Sequence, residues 1–167
     1  MIFAIGGGVS VYFAQDYSEQ SVTQFAPELV AYIYFPIGKK ILLRPGVRMN
    51  FSWETNENPQ ALTIKETDFR YYGELGLVYD WIIMPSLSVG VGADYRNAHL
   101  QTKPPIYVVK DNVSSAENLP SLYFQGGIGF PLIRGLFVVE PYARYTIIQN
   151  ETPRKIGYGI EVTVEIF

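Results

Sequence analysis

Read for a period of two, the chain resolves into eight segments in which apolar residues alternate with small or polar ones: 3–13, 29–37, 41–53, 69–81, 87–95, 122–132, 137–147 and 156–166. The third shows the rule. Ile41, Leu43, Pro45, Val47, Met49, Phe51 and Trp53 oppose Leu42, Arg44, Gly46, Arg48, Asn50 and Ser52. Across all eight segments the apolar rows hold 48 positions without one charge, whereas the opposite rows hold 44 positions with 13 charges and 10 glycines. One continuous sheet therefore meets two chemically different environments.

The connections alternate as well. Those around 35–40, 82–85 and 131–135 are tight and carry Pro and Gly, and those around 14–27, 54–66, 97–120 and 148–155 are longer and polar. Short turns at one end, long loops at the other and both termini at the short-turn end predict an all-β, antiparallel, up-and-down barrel of eight strands, with residues 1–167 as one domain.

Alternation alone does not say which face is outside, and three features decide it. Fifteen of the 48 apolar positions are aromatic, too much volume for the interior of an eight-stranded barrel. Aromatics also gather at segment ends, at Phe3, Phe13, Phe51, Trp53, Phe69, Tyr71, Tyr79, Trp81, Phe124 and Phe130, around strand middles of Ile, Leu and Val. Two aromatic girdles about an aliphatic band match two membrane interfaces. Finally, all six Lys fall in connections, while Arg44, Arg48, Arg70, Arg96 and Arg144 occupy the polar strand face, as expected of desolvated ion pairs. The apolar face points to lipid, and the polar face lines a closed lumen.

Composition narrows the function. The net charge of −3 with mixed signs gives no nucleic-acid footprint, and the absence of Cys removes disulfides and thiolate metal sites. No stretch is long and apolar enough for a transmembrane helix, and the opening Met1-Ile2-Phe3-Ala4 lacks the basic start of a signal peptide, so the chain reads as a mature form behind an initiator Met.

Eight alternating strands, a Gly-rich first strand, tight Pro/Gly turns and a terminal Phe167 resemble the small outer-membrane β-barrel superfamily of the OmpA transmembrane-domain and OmpX type. The resemblance covers essentially the whole chain and rests on pattern. It implies the outer membrane of a Gram-negative bacterium, short periplasmic turns, longer extracellular loops, outer-membrane lipids as surroundings and folding through the outer-membrane assembly machinery. That machinery typically reads a C-terminal aromatic in phase with the apolar row. Phe167 departs from this, falling one residue out of phase with Tyr158, Ile160, Val162, Val164 and Ile166.

Charges inside a narrow bore must pair or reach water at its rims. A weak internal echo sets Arg44-Pro45-Gly46-Val47-Arg48 against Glu140-Pro141-Tyr142-Ala143-Arg144, on strands three and seven, opposite walls of a ring of eight. Arg44 and Glu140 are thereby predicted to meet across the axis, and Arg44, Arg48, Glu74, Glu140, Arg144 and Glu161 form the predicted lumen network. It reads as structural filling, with a gated pore or transport path as the alternative and a lipid-modifying enzyme as the third reading.

No catalytic residue, metal site or cofactor is assigned. His99, the only histidine, falls in a long loop without a Ser partner motif. The segment 97–119, with Lys103-Pro104-Pro105-Ile106-Tyr107-Val108-Val109, is either an extracellular binding loop or an extension of strands five and six above the membrane. Small outward residues at Gly73, Ala93, Gly126, Pro141 and Ala143 suggest a waist that serves a homo-oligomer contact or a lipid groove.

Overall fold

The computed structural model describes residues 1–15, 21–58, 62–102, 114–133, 136–149 and 155–166, with side-chain placement except at 14–15, 21–24, 53–58, 62–66, 98–102, 114–116 and 155. Eight strands run β1 (Ile2–Gln15), β2 (Ser21–Pro36), β3 (Ile41–Asn58), β4 (Leu62–Tyr79), β5 (Met84–Thr102), β6 (Ser114–Ile133), β7 (Phe137–Ile148) and β8 (Lys155–Ile166). Each pairs antiparallel with its chain neighbour, and β1 pairs with β8, closing the barrel. Closure removes the edges that an open sheet would leave unpaired.

The parity of the sequence is the parity of the wall. Along β7 the buried and accessible positions alternate, with Val138, Glu140, Tyr142, Arg144 and Thr146 inside. Ile5, Leu29, Val47, Leu75, Val91 and Ile160 are exposed outside. The two echoed prolines have a matching consequence. Without an N–H, Pro45 coincides with a gap in the β2–β3 pairing between Tyr32↔Gly46 and Phe35↔Leu43. Pro141 likewise lies in the gap of the β6–β7 pairing between Gly127↔Tyr142 and Phe130↔Val139.

The strand limits differ from the sequence expectation at the long-loop end. The segment 54–66 is mostly strand, as are 97–102 and 114–120 within the expected third loop, so β3 to β6 run 18, 18, 19 and 20 residues against 12 for β7 and β8. About 9–11 tilted residues cross a bilayer, so the surplus stands beyond it. The period-two pattern of the sequence fades there, as expected of strands whose two faces share one solvent. The segment 103–113 of the expected loop, with its Ile-Tyr-Val-Val run, lies outside the described residues.

The long ends of β3 to β6 form a wall continuous with the barrel. β2 pairs with β3 only as far as Glu28↔Asn50, and β6 with β7 only as far as Ser121↔Ile148, while β3–β4, β4–β5 and β5–β6 stay paired to Asn58↔Leu62, Leu62↔Thr102 and His99↔Ser114. Among the described residues, 51–58 of β3 and 114–119 of β6 are therefore the two lateral edges of a four-stranded wall, Pro120 still accepting a backbone bond from Gln149 at 2.9 Å.

Candidate functional site

The bore is filled in three tiers. At the short-turn end Ala4, Val30, Tyr32, Tyr34, Val78, Met84 and Val138 form a buried apolar cluster with Ile2 and Leu42 at its margin. Above it lies a dense polar tier, and toward the long-loop end a second one.

Arg48 is the hub of the central tier. Its guanidinium donates through Nε to Glu74 at 3.0 Å, through Nη2 to Glu161 at 2.9 Å, and through Nη1 to Glu28. Nη2 also donates to the Tyr32 hydroxyl, which itself donates to Glu161 at 3.0 Å. All four charged side chains are essentially sealed from solvent. A planar fork of five donors suits this placement, since a compact ammonium cannot reach three separated carboxylates at once.

Arg144 holds Glu28 with two parallel bonds, Nη1 to Oε1 at 2.7 Å and Nη2 to Oε2 at 3.0 Å, the strongest form of such a pair. Its Nε donates to Gln125 at 3.0 Å and its guanidinium stacks between Tyr123 and Tyr142, 4.9 and 4.8 Å from the ring centroids. Arg44 reaches across the axis to Glu140 at 2.7 Å, lies 4.5 Å over the Tyr32 ring, and leaves Glu140 to accept a further bond from Ser86 at 2.6 Å. Tyr123 donates to Glu74, and Asn50 to Tyr12 at 2.9 Å and to Glu28.

The outer tier is Arg70 between Asp94 at 3.0 Å and Asp68 at 2.9 Å, with Arg96 reaching Asp94 at 3.3 Å. Arg96 is partly exposed, so this tier opens on solvent. Asp80 and Glu165 also escape burial, at the short-turn rim.

The structure brings all six predicted network residues into the bore, where Glu161 and Arg144 each pair with a residue beyond the strands next to their own. Glu161 lies directly across from Glu140 in the β7–β8 pairing, and its carboxylate goes across the bore to Arg48. Arg144 instead takes Glu28, on β2. Glu28, Tyr12, Tyr32, Asn50, Ser86, Tyr123, Gln125 and Tyr142 complete the tier and were not singled out from sequence. Their signal is steric. Four lumen tyrosines each face a glycine directly across the pairing: Tyr12↔Gly157, Tyr32↔Gly46, Tyr123↔Gly90 and Tyr142↔Gly159. A Cβ built on any of these glycines overlaps that tyrosine ring. The inward glycines are the sockets into which the tyrosines lie.

Outside, Phe51, Phe69 and Tyr71 form a ladder with centroids 5.0 and 6.0 Å apart, and Phe13 meets Tyr158 edge-on at 6.2 Å. Phe3, Tyr79, Trp81 and Phe130 stand exposed toward the short-turn end, and Phe124 sits within the length of β6. The side chain of Trp53 lies outside the described residues, as do Phe167 and the side chain of His99. Of the small outward residues, Gly126, Pro141 and Ala143 line one groove of about 810 Å³ in the outer wall. Gly73 and Ala93 lie apart from it, and nothing approaches within 4 Å of a Cβ built on Gly73. Among the described residues, no group of three or more His, Asp or Glu side chains is placed to hold a metal ion.

No family model matches the chain, and no curated protein matches it in sequence. Solved structures match over its whole length. Ail, the attachment invasion locus protein of Yersinia pestis, aligns with 11% identity over 99% of this chain and 98% of its own, at a TM-score of 0.66. Neisserial surface protein A aligns with 12% identity over 98% and 97% at 0.63, and the outer membrane enzyme PagL with 12% identity over 98% and 99% at 0.57. The chain has the fold of the small eight-stranded outer-membrane β-barrels.

Proposed function

We propose that the chain is an integral outer-membrane barrel of a Gram-negative bacterium, non-enzymatic, whose bore is a plugged structural core and whose work is done at the surface by the projecting β3–β6 sheet. The observation that carries this reading is the uneven wall. Three strand pairs, β3–β4, β4–β5 and β5–β6, continue well beyond the span that a bilayer needs, and the wall they form has lateral edges at 51–58 and 114–119. An unpaired strand edge is a template for another chain, and main-chain bonding along it needs no pocket. The bore supports the same division, because Arg48 tied to Glu28, Glu74 and Glu161 forms a buried ion cluster within it. An enzyme of this fold would need a general base at an accessible site, and in the central tier the described carboxylates are already held by arginine. Biogenesis runs through the outer-membrane assembly machinery, and the outer wall is solvated by lipid.

Ail is named for attachment and has been crystallised with the heparin analogue sucrose octasulfate, so adhesion is the property to assay. Cells displaying the wild-type chain, a variant with Pro at positions 116 and 118 of the β6 edge, or no chain are washed over protein-coated and heparin-coated surfaces. Proline removes edge donors without touching the bore. Retention by the wild type alone supports the reading. Equal retention in all three arms, with the barrel present at the surface, refutes it.

A further inference from the structure

The outer wall of a barrel is convex, and its side chains usually make an even aliphatic coat. Here the coat is interrupted. In the pairing, Leu87 lies across from Gly126, Gly126 from Ala143, and Ala143 from Tyr158, so one row over β5 to β8 reads large, small, small, large. With Pro141 beside them these residues leave the groove of about 810 Å³, whose margins reach Ile41 and Tyr79 at the short-turn rim. A second hollow of about 540 Å³ continues it toward Leu43, Leu75 and Phe124 and shares Leu77, Leu87 and Gly126 with it. The two branches join at Leu87, a side chain 72% exposed that lines both. On the wall formed by β1 to β3 the corresponding hollow holds only about 270 Å³.

The mouth carries charge. Lys40 in the turn between β2 and β3 places its Nζ 5.9 Å from the centroid of Tyr79, a residue that lines the groove, and Lys39 precedes it. An ammonium beside an interfacial tyrosine, at the open end of a forked apolar hollow, matches a phosphate above two hydrocarbon chains.

Building on the membrane reading above, we propose that this groove binds one diacyl glycerophospholipid of the periplasmic leaflet, its two chains in the two branches and its phosphate at Lys40. The concavity favours a flexible chain over a second copy of the barrel, whose own wall is convex and would need a ridge to fill it. The variant Gly126→Leu/Ala143→Leu fills the floor. It is compatible with folding at position 126, because a Cβ there meets only Leu87 Cδ2, at an ordinary 3.6 Å.

Native mass spectrometry of the barrel, released from vesicles of phosphatidylethanolamine and phosphatidylglycerol into a mild detergent, reads the bound lipid directly. Insertion into the vesicles is scored first, by the heat-dependent gel shift of a folded barrel. The wild type is expected to retain one phospholipid, the filled variant to bind it roughly tenfold more weakly, which corresponds to losing the burial of about two methylenes, and Lys40→Glu to lose it several-fold, about the worth of one surface charge at a phosphate. Leu87→Ala, which removes the divider without adding bulk, is expected to weaken retention if the filled variant fails to fold. An inserted wild type that retains no lipid, that retains it as well as these variants do, or that flies as a dimer abolished by the filled variant overturns the proposal and leaves the membrane reading standing. A wild type that does not insert overturns both.

Discussion

The bore and the outer wall are two faces of the same strands, and they treat the same residue in opposite ways. Gly90 on β5 points inward, where any Cβ would overlap the Tyr123 ring, and Gly73 on the adjacent β4 points outward into open space. Inside, glycine is a socket in a packed, charged core. Outside, it is a place where lipid meets backbone. The bore thus behaves as the interior of this protein, although nearly all of its large buried side chains are arginine, tyrosine or glutamate. The outer wall is a hydrophobic surface of exposed Ile, Leu, Val and aromatic side chains, for which the proposed function supplies lipid as solvent.

The contrast predicts a graded series of effects. The largest falls on Arg48. Replacing it by Ala strands Glu28, Glu74 and Glu161 without their shared cation, at a cost of about 3–5 kcal/mol in denaturant unfolding from lipid vesicles. Arg48→Lys restores the charge without the fork and should recover only part of that loss. Full recovery would show that net charge, and not geometry, holds the tier.

Glycine provides the next and sharpest comparison. Gly90→Ala should cost roughly 1–3 kcal/mol by overpacking against Tyr123. Gly73→Ala should stay within about 0.5 kcal/mol of wild type in the same assay. Equal costs at the two positions would abolish the distinction between the faces. On the outer wall, Phe51→Ala removes one member of the Phe51–Phe69 pair and is expected to cost about 0.5–1.5 kcal/mol. The smallest effect on stability, within about 0.5 kcal/mol, is predicted for proline at positions 116 and 118. These lie on an edge that pairs with no other strand on its β7 side among the described residues. The same change should have the largest effect on adhesion.

Much of this was legible in the sequence because parity is enforced by solvent. Wherever one face is apolar and the other lines the bore, a one-residue slip would exchange the two rows, and on β3, β4, β5 and β7 would turn an arginine outward, so register is written into the strands. Arg44 and Glu140 could be paired across the axis for this reason, from the echo around Pro45 and Pro141. The upper halves of β3 to β6 were read as loops because beyond the membrane nothing enforces alternation. Glu28 is in phase with the inward row of β2, but its place between Arg48 and Arg144 depends on which strands lie opposite across the bore, and no local pattern carries that. Gly73 and Ala93 were grouped with Gly126, Pro141 and Ala143 by residue type alone. The tilted register of the wall brings only the last three into one groove.

The claim at the centre is that the bore is a core and not a channel, and single-barrel current across a planar bilayer tests it most directly. The wild type, inserted singly and held at fixed voltage, should show no steady conductance above the bare membrane, because three tiers of packed side chains occupy the axis. A steady wild-type conductance that changes on Glu140→Ala would contradict the account, since the residue facing Arg44 would then be gating a path that a filled bore does not have.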